Sequence, residues 1–239
     1  FKIVGVSNSS QMLFNEDDGL DIETINNIKS IGESRENIGV FVDKVKALNL
    51  RNSVFVDNTA SADVSEVYAK LLAQSISVVT CNKIACSIDY ENYVKLKQLA
   101  EQHNCFFKYE TSVGAALPVI KTIADLKVSG DEITKIEAVI SGSLNFIFNE
   151  YNGDVSFSEV VWKAHKEGYT EPNPLLDLSG LDVMRKILIL SRESGLEKEM
   201  KEIEFTPFIP EICNDAKNND ALFKQLTQDE PYFLKQYLI

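Results

Sequence analysis

Cysteine is scarce in these 239 residues: there are four, Cys81, Cys86, Cys105 and Cys213. They are too scattered for a disulfide framework. Cys81 and Cys86 form a C-x4-C pair, but no second Cys or His pair follows at ligand spacing, which argues against zinc. They read as small buried thiols of a reducing, cytoplasmic compartment. Positive charge is also short, with 24 Lys and Arg against 36 Asp and Glu and a net charge of −12. A field of that sign repels phosphate backbones and anionic lipid, so neither nucleic acid nor a membrane is an expected partner. No apolar run reaches the roughly 18 residues of a membrane-spanning helix. No G-x-G-x-x-G occurs, the strand–helix turn on which a dinucleotide pyrophosphate rests. A secretory signal is absent too, and the chain opens in mid-strand with Phe1-Lys2-Ile3-Val4-Gly5-Val6 and no Met, so it reads as a fragment.

What is present is ordinary globular material, 44% hydrophobic and 25% charged, enough for one large or two modest domains. The first hundred residues alternate short apolar runs with helical patterns. Lys2–Val6, Ser53–Asp57, Ile76–Thr80 and Cys105–Tyr109 read as strands, and Ile38–Leu48, Val64–Gln74 and Tyr90–Gln102 as helices. This alternation predicts parallel βαβ units, with the polar tails after Val6, Asp57 and Thr80 on the carboxyl edge of the sheet, where ligands bind. A small-residue stretch, Glu110–Pro118, marks a hinge. Beyond it the pattern predicts a helix over Leu117–Val128, a strand over Thr134–Ile140, and a tight turn at Ser141-Gly142-Ser143 into a helix over Leu144–Tyr151. Further helices are expected over Phe157–Glu167 and Asp182–Arg192, with an irregular loop over Gly168–Gly180 between them. The tail from Glu211 reads as polar, with one short helical stretch near Ala221–Leu226. The expected domains are 1–109 and 110–239.

The chemistry-bearing stretch is residues 168–186, which brings Glu171, Asp177, Asp182 and Lys186 close in sequence. Asp182 and Lys186 are four apart and share a helix face. Two readings stand: a solvated ion pair, or a desolvated pair with useful acid–base behaviour at the start of an apolar helix. Lys83 lies just past a parallel strand end, where a solvated loop lysine is equally natural. Thr59 and Ser61 occupy the matching loop after Asp57, where Ser61 is also placed to cap a helix. His103 and His165 read as surface or helix-end residues without a role.

Five motifs in register then identify a resemblance: VDNTAS (56–61), VVTCNK (78–83), ETSVGAALPVI (110–120), ISGSLNFIFN (140–149) and GYTEPNPLLDLSGLDVMRK (168–186). The chain resembles homoserine dehydrogenase over about residues 1–210, in particular the dehydrogenase half of bifunctional aspartokinase–homoserine dehydrogenases. The fold this implies is α/β: a partial Rossmann-like parallel sheet followed by an α+β catalytic and dimerisation domain. The implied activity is NAD- or NADP-dependent interconversion of L-homoserine and L-aspartate-4-semialdehyde, on the route to threonine and methionine. By resemblance Lys186 is the proton-transfer lysine and Asp182 orients it. Glu171 binds the substrate ammonium, supported by Asp177; Gly142 and Ser143 approach its carboxylate; Tyr169 and Thr170 line the wall. Thr59, with Ser61, contacts the nicotinamide, and Lys83 bridges the nicotinamide side and the substrate. Ser7 and Asn8 meet the adenosine ribose, and the lack of an acid there favours tolerance of a 2′-phosphate. A monovalent cation such as Na+ is implied on Glu110 and the carbonyls of Val113, Ala115 and Leu117, against the alternative of a plain hinge. The resemblance also implies a homodimer through the second domain.

Asn173, Leu175, Leu176, Cys81 and Ile84 depart from the family's usual residues, and the resemblance implies a glycine-rich βα unit before Phe1 and further elements after Ile239. An alternative function is therefore a catalytically inactive assembly module. A third, a semialdehyde dehydrogenase working through a cysteine thioester, lacks a Cys–His pair.

Overall fold

The computed structural model describes residues 1–237; Leu238 and Ile239, the end of the expected second domain, lie outside them. The chain divides into two compact units, Phe1–Ser112 and Val113–Ile239. No helix among the described residues is long and apolar enough to cross a membrane.

In the first unit, β1 (Gly5–Ser7), β2 (Gln11–Phe14) and β3 (Glu33–Ser34) form an antiparallel sheet in that order, Gly5 opposite Phe14 and Met12 opposite Glu33. This corrects the expectation that the first strand belongs to the parallel sheet. The reason is the turn chemistry of Asn8, whose Oδ1 accepts from the amides of Ser10 (2.9 Å) and Gln11 (2.8 Å), while Ser7 Oγ donates to the Gln11 carbonyl (2.9 Å). Such a side-chain turn reverses the chain within three residues.

The parallel sheet is β4 (Val54–Asp57), β5 (Ser77–Thr80) and β6 (Phe107–Lys108), in sequence order, with Val56 opposite Val79 and Val79 opposite Lys108. Helices Ala62–Glu66 and Tyr68–Leu72 cross from β4 to β5, and Ile84–Ser87 and Tyr90–Gln102 from β5 to β6. Strand alternation sorts the faces. Phe55, Val78 and Phe107 point the same way and pack with buried Tyr68 and its helix. On the other face Val54, Val56 and Val79 are exposed. A chain of ring contacts runs Phe14–Phe41–Phe55–Tyr68–Phe107–Tyr109, joining the antiparallel sheet through the Ile38–Leu48 helix to the parallel one.

The second unit is built on helices Val119–Val128, Gly142–Glu150, Phe157–Lys166, Leu181–Glu193, Asn219–Gln228 and Glu230–Tyr237, with a single turn at Leu175–Leu178. The strand expected over Thr134–Ile140 is not paired. Residues 131–140 carry no regular secondary structure, and Val139 there is 78% exposed. A strand exists only where a neighbour takes its backbone groups, and among the described residues of this unit none does. The core joins Leu144, Ile147, Phe157, Val161, Ala164, Leu222, Leu226 and Phe233. Phe157 stacks on Phe233 at 4.1 Å and 14°. The polar tail is thereby corrected: Leu222 and Leu226, four apart, and Phe233 seven further on form one apolar stripe within two packed helices. Ser156 and Glu159 make a capping box at the start of Phe157–Lys166. The Glu230 carboxylate accepts from the Tyr151 hydroxyl (2.7 Å) and the Phe157 amide (2.8 Å), fastening the tail to that same helix start.

All four cysteines are free thiols. Burial, then the neighbouring Asp229 carboxylate, pushes the Cys213 thiol up to about 12 from its ordinary 9.0. Folded chain therefore keeps a proton that unfolded chain releases, so this contribution is complete below pH 9 and lost as pH rises toward 12. The urea midpoint of the wild-type chain is expected to fall across that window, with a shallower slope in Cys213→Ala. Equal slopes in the two proteins would contradict the assignment.

Candidate active site

Gly180 opens the Leu181–Glu193 helix at φ +73°, and a Cβ there would lie 2.4 Å from the Phe205 ring. Glycine is required on both counts. Along that helix Asp182 and Lys186 form an ion pair at 2.8 Å, with 14% of the lysine side chain exposed. Lys186 Nζ also donates to the Ile140 carbonyl at 2.7 Å. Of the two readings open from sequence, the lysine is thus the desolvated one, while Asp182 keeps partial access to solvent.

Ile140 leads into the turn that starts the Gly142–Glu150 helix. Ser141 caps this helix by accepting from the Leu144 amide (3.2 Å), and its hydroxyl lies 3.1 Å from that of Ser143. Ser143 Oγ donates to Asp177 Oδ1 at 2.7 Å, and the Glu171 amide donates to Asp177 Oδ2 at 2.9 Å. The four residues 140–143 are therefore a hub, holding Lys186 by a carbonyl and Asp177 by a hydroxyl. Thr170 Oγ1 donates to the Glu171 carbonyl (3.0 Å) and meets His165 Nδ1 at 3.1 Å. Tyr169 is half exposed and stacks on Phe146 at 4.2 Å and 17°. The space beside Gly142 is open, since a Cβ there meets nothing within 4 Å. One ammonium, two carboxylates, hydroxyls and a helix N-terminus are so gathered around an accessible glycine. That set can bind a small zwitterion and hold a proton donor at a third polar group.

Three participants escaped the sequence reading. The Ile140 carbonyl carries no side-chain signal. Ser141 was legible as an N-cap three residues before Leu144. His165 was left without a role, yet it orders Thr170 from the preceding helix.

In the first unit, Thr59 and Ser61 follow β4, and Lys83 follows β5, on the carboxyl edge of the parallel sheet. Thr59 is exposed, and its Oγ1 accepts from the Ser61 amide at 3.2 Å. Ser61 holds the N-cap position of Ala62–Glu66 without a side-chain capping bond. Ser7 instead ends the antiparallel strand β1 and Asn8 opens the β1–β2 turn, so their expected place at a parallel strand end is corrected. Asn8 lines an open depression with Ser9, Ser10, Lys29 and Ser34, and Arg35 donates to the Asn8 carbonyl through Nη2 (2.5 Å) and Nε (3.2 Å).

Of the expected cation ligands, Glu110 belongs to the first unit and the three carbonyl donors to the second. Val113 is buried in the Thr111–Gly114 turn, Ala115 sits at φ +50°, and the Leu117 carbonyl already accepts from the Val119 amide at 2.9 Å. Among the described residues no group of three or more His, Cys, Asp or Glu could hold a metal ion.

Comparison with known proteins covers both units. Residues 2–110 match the NAD binding domain of homoserine dehydrogenase, and residues 118–235 match homoserine dehydrogenase itself. The bifunctional aspartokinase/homoserine dehydrogenase of Haemophilus influenzae is 38% identical over 97% of this chain, which spans 28% of that relative. A Candida auris protein of unknown function superposes with a TM-score of 0.86 at 28% identity, over 99% of this chain and 68% of the other. A hyperthermophilic archaeal homoserine dehydrogenase in complex with NADPH gives a TM-score of 0.66 at 25% identity, over 80% and 59%. The parallel sheet of the first unit falls within the NAD binding domain match and the helices of the second unit, up to residue 235, within the homoserine dehydrogenase match, and the chain belongs to the homoserine dehydrogenase family.

Proposed function

We propose that this chain carries the substrate pocket and the nicotinamide-side loops for NAD(P)-dependent interconversion of L-homoserine and L-aspartate-4-semialdehyde. The observation that carries the reading is Lys186, held by the Ile140 carbonyl and Asp182 beside the Ser143–Asp177–Glu171 chain. Two of the three N–H donors of its ammonium are so engaged, leaving the third for the oxygen at the reacting carbon. In aldehyde reduction Lys186 polarises that oxygen as negative charge develops and gives it a proton. In homoserine oxidation it is the neutral amine form of Lys186 that takes the hydroxyl proton, the reverse of that transfer. Asp182 orients and charge-compensates the lysine. Glu171, whose amide is pinned by Asp177, takes the substrate ammonium, while the helix N-terminus at Gly142 and Ser143 takes the carboxylate. Tyr169 and Thr170 form the wall.

The NADPH-bound archaeal relative supports the same cofactor class here. The dinucleotide, when bound, supplies the hydride donor or acceptor. The residues on the carboxyl edge of β4 and β5 fit its nicotinamide end: Thr59 and Ser61 present hydroxyls, and Lys83 a cation, beside fixed backbone. Lys29 and Arg35 beside Asn8, with no acid in that depression, suit a 2′-phosphate and so NADP. We assign no role to a monovalent cation.

A second reading, an assembly module without turnover, is favoured by the exposed Val139 and Ile136 of the unpaired segment 131–140. One assay separates the two: NADP-dependent homoserine oxidation by the chain, followed through nicotinamide absorbance. Turnover that falls roughly a hundred- to ten-thousand-fold in Lys186→Ala, with homoserine affinity weakened roughly ten- to a hundredfold by loss of the contact to its hydroxyl, is the expected result. Undiminished turnover in the variant would remove Lys186 from the chemistry, and none in the wild type would leave the module.

Pairing of two copies completes the reading. The extended segment 131–140 exposes Val139 and Ile136 beside unused ladder groups, which suits strand pairing across a dimer. Light scattering is expected to give a dimer for the wild type and a monomer for Val139→Asp; a dimer in both would place the contact elsewhere.

A further inference from the structure

The two loops that carry Thr59 and Lys83 meet over a knot of four buried polar residues, Asp57, Tyr68, Thr80 and Asn82, none more than 2% exposed. The Tyr68 hydroxyl donates to Asp57 Oδ2. Asn82 Nδ2 donates to that same oxygen at 3.2 Å, and also to the Ser61 carbonyl at 2.9 Å. Asp57 Oδ1 accepts from the Thr59 amide at 2.7 Å. Thr80 Oγ1 accepts from the Asn82 amide at 2.8 Å and lies 2.9 Å from the Tyr68 hydroxyl oxygen. Tyrosine has one proton, and it is committed to the carboxylate, so Thr80 is the donor in that last contact. Asn82 Oδ1, finally, accepts from the Ile84 amide at 3.0 Å, just past Lys83.

A single carboxylate is therefore the common acceptor for the loop after β4, the loop after β5 and the helix between them. These bonds add nothing to the ladder of the sheet, whose strands pair through their own backbones. Apolar residues would fill the same space without a buried charge in need of donors. What the polar knot adds is conformation. It pins the amide of Thr59, ties Ser61 to Asn82, and sets the direction in which the chain leaves Asn82 towards Lys83.

We propose that Asp57, Tyr68 and Asn82 are a positioning unit that presets loops 58–61 and 81–83 to receive the nicotinamide end of the dinucleotide. The proposal rests on the cofactor reading above. Because Tyr68 and Asn82 share one carboxylate oxygen, release of either frees both loops together. The effect is on loop order and cofactor affinity, separate from the substrate pocket in the other unit.

The test compares the full chain with Tyr68→Phe, which keeps the ring between Phe55 and Phe107 and removes only the hydroxyl, and with Asn82→Ala, which cuts the bond between the loops. Amide hydrogen exchange is the first readout. Thr59 and Asn82 are expected to exchange about tenfold faster or more in both variants, while Val78 and Val79 in the sheet keep their protection. NADPH titration, followed by nicotinamide fluorescence, is expected to show about tenfold weaker binding, with L-homoserine affinity unchanged. Asp57→Asn combined with Tyr68→Phe is expected to be no worse than either alone. Exchange that rises uniformly through the unit, or stays as in the wild type, would make the knot a fold element only and overturn the proposal. So would selective loop opening with unchanged NADPH affinity. Should the wild-type chain itself bind no NADPH, the cofactor reading fails, and the positioning of the nicotinamide end fails with it, even where the exchange data still show coupled loops.

Discussion

A carboxylate withdrawn from water must be given donors, and three times in this chain that requirement orders a loop or a terminus. Asp57 draws in a tyrosine hydroxyl, an asparagine amide and the Thr59 backbone. Asp177 takes the Ser143 hydroxyl on one oxygen and the Glu171 amide on the other. Glu230 takes the Tyr151 hydroxyl and the Phe157 amide. In each case a side-chain hydroxyl and a main-chain N–H converge on one carboxylate. The donors are neutral, and the geometry of the donors becomes the geometry of the site. Lys186 is the inverse case, a desolvated cation whose donors are satisfied by a carbonyl and a carboxylate.

This pattern explains why some of the architecture was legible and some was not. The parallel strands announced themselves as compact β-branched runs ending in Asp57 and Thr80, and the apolar helix after Asp182 by its periodicity. Positions on the carboxyl edge followed from alternation alone, so Thr59 and Lys83 lie where expected. The hairpin at Asn8 was missed because a Ser-Asn-Ser-Ser tail suits a loop at a parallel strand end as well as a side-chain turn. Thr134–Ile140 had the alternation of a strand, but alternation cannot supply the neighbour. Of the tail helices, Asn219–Gln228 was legible in part as the stretch near Ala221–Leu226, whereas Glu230–Tyr237 was read only as polar tail. Backbone partners, such as the Ile140 carbonyl and the Glu171 amide, leave no trace in residue identity at all.

The chemistry separates in the same way. Lys186, Asp182 and the Ser143–Asp177–Glu171 chain lie in the second unit, whereas the sheet edge of the first unit presents hydroxyls and a lysine on loops. Burial raises the thiols of both Cys105 and Cys213, and Asp229 adds to the effect at Cys213, so neither is an activated nucleophile. A thioester route through those two residues therefore has no support.

The central claim is that the second unit reads a zwitterion by its ends and a hydroxyl by Lys186. Calorimetric titration of the chain with L-homoserine and with L-2-aminobutyrate, which differs only in lacking that hydroxyl, tests it most directly. One hydrogen bond to a charged group is worth about 1.5–3 kcal/mol, so homoserine should bind roughly ten- to a hundredfold more tightly. Equal affinities would contradict the account, because the lysine would then be pairing with Asp182 and the main chain and reading nothing else.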